Sequence, residues 1–103
     1  MKETKYEEWI EEGKNKFGEI ENWRFKCPKC GNVATVKSFL NLGKDADTAA
    51  QNCIGRFTKE GCDWAAYGLF GTLDKGRRIL MENGIKVNVF EFDEVDNYGN
   101  RRK

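Results

Sequence analysis

The chain has 103 residues, a formal net charge of +1, 39% hydrophobic residues and 34% charged residues. This length is enough for one domain and not for two, so we treat residues 1–103 as a single domain. A general nucleic-acid binder is usually more basic than this. No apolar run approaches membrane-spanning length, and the first residues are acidic rather than signal-like. We therefore expect a cytoplasmic protein with no membrane partner.

The complete lack of histidine argues against the commonest kinds of active site. The chain contains four cysteines and no histidine. General-base catalysis most often uses histidine, and the usual catalytic triads require it. The sequence also lacks the glycine motifs that bind phosphates or dinucleotides. These absences predict a protein without enzymatic activity.

The first predicted element is an amphipathic helix over residues 1–21. Thr4 and Glu7 have the spacing of a capping box at its start, and Gly18 is placed to end it. Apolar residues recur at helical spacing and share one face: Tyr6, Trp9, Ile10, Gly13, Phe17 and Ile20. We expect this face to pack on the rest of the domain.

Residues 23–64 carry all four cysteines and form the predicted zinc-binding region. Alternating apolar and basic residues over 23–26 predict a strand that leads into the first cysteine pair. Residues 32–36 predict a second strand that leaves it. Asp45 or Asp47 can cap a short helix that follows.

The C-terminal part predicts a β-hairpin over residues 77–92, because Asn83-Gly84 is the strongest two-residue hairpin signal. Segment 65–73 is apolar but contains glycines, and both an irregular strand and a packed turn remain open. Residues 97–103 are expected to form a tail. The predicted fold class is α+β: an N-terminal amphipathic helix packed on a small antiparallel β-sheet, with a four-cysteine zinc knuckle and a C-terminal β-hairpin.

The cysteine spacing is the strongest functional signal. Cys27 and Cys30 form a C-x2-C pair followed by Gly31, and Cys53 and Cys62 form a wider C-x8-C pair. A two-residue gap lets both thiolates of a tight turn face one ion. A closed site of four thiolates is structural and leaves no open position for chemistry. We therefore predict one structural Zn²⁺ held by all four cysteines.

Two other uses of these cysteines are possible. A thioredoxin-like dithiol at residues 27–30 would need a strand-to-helix junction, whereas the residues that follow predict a strand. A pair of buried disulfides is disfavoured by the expected cytoplasmic compartment. Both alternatives rank below zinc.

Charged residues supply candidate partner contacts. The polar side of the predicted helix carries an acidic face: Glu7, Glu8, Glu11 and Glu12. Arg56 lies between Gly55 and Phe57, where it can contact a partner's carboxylate or phosphate. Alternatively, Arg56 pairs with a nearby acid such as Asp63 and braces the metal loop.

The cysteine motifs carry a resemblance. The chain contains Cys-Pro-Lys-Cys-Gly at 27–31, Cys-Ile-Gly-Arg-Phe at 53–57, Cys-Asp-Trp at 62–64 and a Gly-Leu step at 68–69. Over residues 23–92 it resembles a group of small phage-encoded, zinc-ribbon-like proteins with four cysteines. More loosely, it is similar to phage anti-CRISPR proteins. That resemblance implies a zinc fold, a phage origin and the cytoplasm of a bacterial host.

Three functions follow as expectations. The first is a non-enzymatic anti-CRISPR protein whose acidic face binds a host defence protein, possibly a Cas9-type nuclease, and inhibits it. The second is a zinc-ribbon nucleic-acid binder that contacts phosphates through five cations: Lys26, Lys29, Lys37, Arg56 and Arg77. The third is a phage protein–protein adaptor. The sequence does not specify the partner or the oligomeric state.

Overall fold

The computed structural model describes residues 2–68 and 71–93. Strands and helices follow in the order β1 (Lys2–Lys5), α1 (Tyr6–Phe17), β2 (Arg24–Lys26), β3 (Val33–Thr35), α2 (Val36–Asn41), α3 (Ala46–Gln51), β4 (Arg77–Leu80), β5 (Lys86–Val89) and β6 (Glu91–Phe92). Short 3-10 turns occupy Ile20–Asn22 and Ile54–Arg56. The fold class is α+β, as predicted. Within the described ranges, no helix has the length and apolar character needed to cross a membrane.

The strands form two three-stranded sheets. The first sheet has the order β1-β4-β5, with β1 parallel to β4 and β5 antiparallel to it. The second sheet has the order β3-β2-β6, and both outer strands run antiparallel to β2. The chain passes from one sheet to the other at Phe90, whose backbone N–H donates to the carbonyl of Ala50 at 2.7 Å. The predicted small antiparallel sheet is therefore two sheets, one of them mixed.

An aromatic cluster joins α1 to the second sheet. Trp9 stacks on Phe92 with ring centroids 5.9 Å apart, and Phe25 stacks on Phe92 at 5.2 Å. Gly13 is buried on α1 against the indole of Trp23, and an added Cβ there would lie 2.5 Å from Trp23 Cζ2. Four residues of the predicted apolar face therefore pack into the core: Trp9, Ile10, Gly13 and Phe17. Tyr6 and Ile20 are exposed, and Ile20 lies beyond α1.

The predicted N-terminal boundary of the helix, and its capping box, are wrong. Residues Lys2–Lys5 form β1, and the helix begins at Tyr6 without a side-chain cap. Thr4 pairs with Ile79 in the parallel ladder of the first sheet, so it is not available to cap a helix. The helix ends at Phe17, short of the predicted residue 21, but Gly18 is the predicted stop: it adopts φ 80°, and its N–H donates to the carbonyl of Lys14.

The hairpin exists, but its turn differs from the prediction. The N–H of Met81 donates to the carbonyl of Ile85, and Gly84 N–H donates to the carbonyl of Met81. Gly84 has φ 85°, and Asn83 is not among the residues with positive φ. The connection is thus a three-residue loop closed by glycine, not a two-residue Asn-Gly turn. The hairpin also ends at β5, because Glu91–Phe92 pairs with β2 in the second sheet.

The other local predictions have mixed outcomes. Asp45 caps α3, since its Oδ1 accepts from the N–H of Thr48 at 2.8 Å. In the segment left open, Ala65 makes an isolated bridge with Asn52, and residues 71–74 are turn. Residues 69–70 and the predicted tail 97–103 lie outside the described residues.

Candidate metal centre

The first cysteine pair lies in a tight turn between β2 and β3. This turn, residues 27–31, is called the knuckle below. The N–H of Gly31 donates to the carbonyl of Cys27 at 3.0 Å, and Gly31 adopts φ 78°. Glycine reaches this left-handed conformation without the steric cost that a Cβ brings. The knuckle thereby presents Cys27 and Cys30 to the same side.

The second pair is brought together by a loop that folds back on itself. The N–H of Cys53 donates to the carbonyl of Trp64 at 2.9 Å, which closes the loop next to Cys62. A Cβ on Gly55 would lie 2.2 Å from the carbonyl oxygen of Cys62, and a Cβ on Gly61 would lie 2.7 Å from Cys53 Sγ. The wide C-x8-C spacing therefore works because two glycines allow the backbone and the sulfur to approach closely.

The four sulfurs form one compact cluster, and all four cysteines are free thiols. The atoms lie within 4.8 Å of one another, with 3.7 Å between Cys27 Sγ and Cys62 Sγ and 3.7 Å between Cys30 Sγ and Cys53 Sγ. Adjacent sulfurs in a tetrahedral zinc site are about 3.8 Å apart, given Zn–S bonds of about 2.3 Å. The cluster can therefore hold one metal ion with little rearrangement.

For Cys27, Cys30 and Cys53, burial acts to raise the pKa of the thiol, whereas hydrogen bonds from backbone amides act to lower it. Burial raises the pKa of Cys27 to about 12 and also raises that of Cys53. For Cys30, desolvation also raises the pKa, but the N–H of Asn32 and the three neighbouring thiols outweigh it and lower the pKa to about 7. Buried thiols favour the neutral form, so four thiolates at this place require a cation.

The comparisons with known proteins establish the family. The sequence pattern described as VVA0879-like matches residues 5–93, which is most of the chain. The chain belongs to the VVA0879-like family. Comparison with curated proteins and with solved structures gave no match. The VVA0879-like match spans all four cysteines and extends from the end of β1 to just beyond β6.

Arg56 stabilises the loop that links Cys53 to Cys62 in this VVA0879-like protein. Its Nη1 donates to the backbone carbonyl of Asp63 at 2.9 Å, and its guanidinium lies 5.8 Å from the ring centroid of Tyr67. The sequence analysis placed Arg56 next to Asp63, but it expected contact with the carboxylate rather than the backbone. Arg56 is exposed, so a contact with a partner stays a prediction.

Glu12, one member of the predicted acidic face, is paired with basic residues of the same chain. Glu12 accepts two hydrogen bonds from the buried Arg77, at 2.7 and 2.9 Å, and pairs with Lys16 at 3.2 Å. Arg77 also donates to Glu91 at 2.7 Å. The remaining acidic residues of α1 are exposed: Glu7, Glu8 and Glu11. Arg77, a candidate phosphate contact in the sequence analysis, is thus buried in an internal ion-pair network.

Sequence reasoning missed Asn32, which organises the knuckle. Its carbonyl accepts from the N–H of Cys27 at 2.9 Å, and its own N–H donates to Cys30 Sγ at 3.4 Å. Both groups belong to the backbone, so the residue type gives no signal. In the sequence, the role of Asn32 is indicated only by its position two residues after Cys30.

Proposed function

We propose that the protein is a non-enzymatic binding protein whose fold depends on one zinc ion held by Cys27, Cys30, Cys53 and Cys62. The observation that supports this is the sulfur cluster, with its two 3.7 Å contacts. Tetrahedral four-sulfur sites in proteins take zinc or iron. Zinc in such a site has no open coordination position, so its role is structural.

The proposed partner-binding surface is the exposed part of the acidic face: Glu7, Glu8 and Glu11. These three side chains lie on the solvent side of α1, opposite the residues that pack into the core. Their charges are separate from the internal Arg77 network, which already neutralises Glu12. Three like charges on one helix attract a basic surface and speed its association.

The narrower proposal is that this partner is a Cas9-type nuclease, and that the protein is a phage-encoded inhibitor of it. Such nucleases hold nucleic acid in a strongly positive channel. An acidic helix is complementary in charge to that channel. The support for this choice of partner is charge complementarity together with the resemblance described above.

The test uses the zinc-loaded protein, a purified Cas9-type nuclease and two variants with equal charge change. The triple variant E7K/E8K/E11K should lower the association rate about tenfold or more and restore DNA cleavage, because it reverses the charge of the docking face. The control E19K/E60K/E82K reverses three exposed acids elsewhere. Equal behaviour of the two triple variants would show that the acidic face does not bind the nuclease. Uninhibited cleavage in the presence of the wild-type protein would show that the protein does not inhibit this nuclease.

A further inference from the structure

Tyr67 is an exposed aromatic ring whose position is fixed by hydrogen bonds. Its side chain is 62% exposed, the highest value among the large hydrophobic residues described. Its hydroxyl donates to Oδ1 of Asn52 at 2.7 Å, and the Nδ2 of the buried Asn52 donates in turn to the carbonyl of Thr48 at 3.0 Å. A ring anchored at its polar end, with Arg56 over one face, presents its remaining exposed area to solvent at little further entropic cost.

A second ring lies three residues earlier and is held in the same way. The indole N–H of Trp64 donates to the carbonyl of Gly71 at 2.7 Å. Lys29 Nζ lies 5.3 Å from the Trp64 ring centroid. Arg56 covers Tyr67 and also binds the carbonyl of Asp63, the residue before Trp64. Arg56 thus lies beside both Tyr67 and the residue before Trp64, while Lys29 lies over the Trp64 ring.

Basic residues also line a concavity beside the knuckle. A concavity of about 550 Å³ beside Cys30 is lined by the side chains of Lys26, Lys29 and Lys75. Two carboxylates also line it, but Glu91 is bound by Arg77 and Asp93 faces Arg24 at 3.7 Å. The lining therefore combines three lysines with two carboxylates that each face an arginine, and Lys29 belongs both to it and to the pair with Trp64.

We infer that Tyr67 and the lysine-lined concavity form one surface that binds single-stranded nucleic acid, with phosphates on Lys26, Lys29 and Lys75 and an unpaired base stacked on Tyr67. Basic grooves with aromatic platforms are the recurring means of binding single strands, because every unpaired base offers a face for stacking. In a duplex the bases are already stacked on one another, so no base would be free to stack on Tyr67. The surface shares no residue with the acidic face of α1, and the inference does not rest on the proposed function.

The competing explanation is that the lysines only balance charge. A zinc ion with four thiolates carries a net charge of −2, and nearby lysines would offset it. That explanation accounts for Lys26 and Lys29, which flank the cysteines. It does not account for an exposed tyrosine held by a buried asparagine.

The experiment measures the fluorescence polarisation of a labelled 20-nucleotide thymidine strand with the metal-loaded, full-length protein at several salt concentrations. We expect binding that weakens steeply with salt. Y67A should weaken it roughly 5- to 100-fold, whereas Y67F, which keeps the ring, should weaken it less. K75E should lower the salt slope by about one or more, and the matched control K14E on α1 should not.

Three results would overturn the inference. One is an absence of binding by the wild-type protein at low salt. Another is equal binding of the single strand and of a duplex of the same length. The third is equal effects of Y67A and Y67F, or of K75E and K14E. The metal content of each variant tests the competing explanation. If K75E loses metal and no form of the protein binds the strand, the lysines only offset the negative charge of the metal cluster.

Discussion

Gly55 and Gly61 control how closely the two halves of the cysteine loop approach. Both lie where a side chain would meet either the backbone of Cys62 or the sulfur of Cys53. The sequence shows glycine at both positions but not which atoms each glycine faces, because these depend on a loop that closes through the Cys53–Trp64 hydrogen bond.

Gly61→Ala should weaken the metal site. The added Cβ would lie 2.7 Å from Cys53 Sγ, so the sulfur or the loop must move. Small displacements of groups that support a ligand typically cost about 10- to 100-fold in metal affinity. Competition with a chromogenic chelator measures this affinity. Gly68→Ala is the matched control, since its Cβ would meet only Ala65 O at 3.4 Å; equal affinities for the two variants would contradict the assignment.

Two sequence signals for helix capping had opposite outcomes, because only one of them depends on neighbouring residues alone. Asp45, one of the two predicted candidates, caps α3, because Thr48 is only three residues away and donates both its N–H and its hydroxyl to Asp45 Oδ1. Thr4 does not cap α1, because residues 2–5 pair with β4, more than seventy positions along the chain. Strand β1 has the sequence Lys-Glu-Thr-Lys and no apolar alternation, so only tertiary pairing identifies it.

At the scale of elements, Arg77 ties α1 to both sheets. It lies on β4 of the first sheet, binds Glu12 on α1 and binds Glu91 on β6 of the second sheet. Its side chain is only 4% exposed. Leaving such a buried cation without partners costs several kcal/mol, commonly about 3–5. The predicted strand over this segment does not reveal which acids come to Arg77 from distant parts of the chain.

This network gives a pH-dependent term in stability. The hydrogen bond from Arg77 is the main reason that the pKa of Glu12 falls from 4.5 to about 2. A carboxyl with a lowered pKa stabilises the folded protein fully above pH 4.5, and the contribution is lost as pH falls toward 2. Urea unfolding of the wild type and E12Q should differ by about 1–2 kcal/mol at pH 7, allowing for partial exposure and for the remaining partner Glu91.

The difference between the wild type and E12Q should shrink as pH falls from 4.5 to about 2. Comparing the two proteins at each pH cancels the effect of acid on the thiolates, which both share. E8Q is the control, because Glu8 is exposed. A gap between wild type and E12Q that does not change with pH would show that the carboxylate charge is not what stabilises the contact.

At the scale of the whole molecule, the cysteine cluster is part of the core. Cys27 and Cys53 are each 2% exposed and belong to the same buried cluster as Phe25, Phe39 and Phe90. A structural zinc contributes about 10–16 kcal/mol of apparent folding free energy in small metal-binding peptides. This is as large as the whole stability of a typical domain, about 5–15 kcal/mol.

The sequence predicted the fold class and the four clustered cysteines, because both depend on strong local patterns. It predicted the strands on both sides of the first cysteine pair, but not that β6 joins them in a separate sheet, since β6 has only two residues and its partner β2 is far away in sequence. It also placed Glu12 and Arg77 on the surface, where each was expected to meet a partner. Surface charge alone does not reveal which ions find each other inside the molecule.

Metal analysis of the purified protein, combined with circular dichroism before and after chelation, tests the central claim most directly. We predict close to one zinc per chain by mass spectrometry. Stripping the metal should abolish the cooperative thermal transition, and restoring zinc should recover it. C27S and C53S should behave like the stripped protein. A sample that contains no metal yet melts cooperatively, with a folded spectrum that a chelator leaves unchanged, would contradict the account.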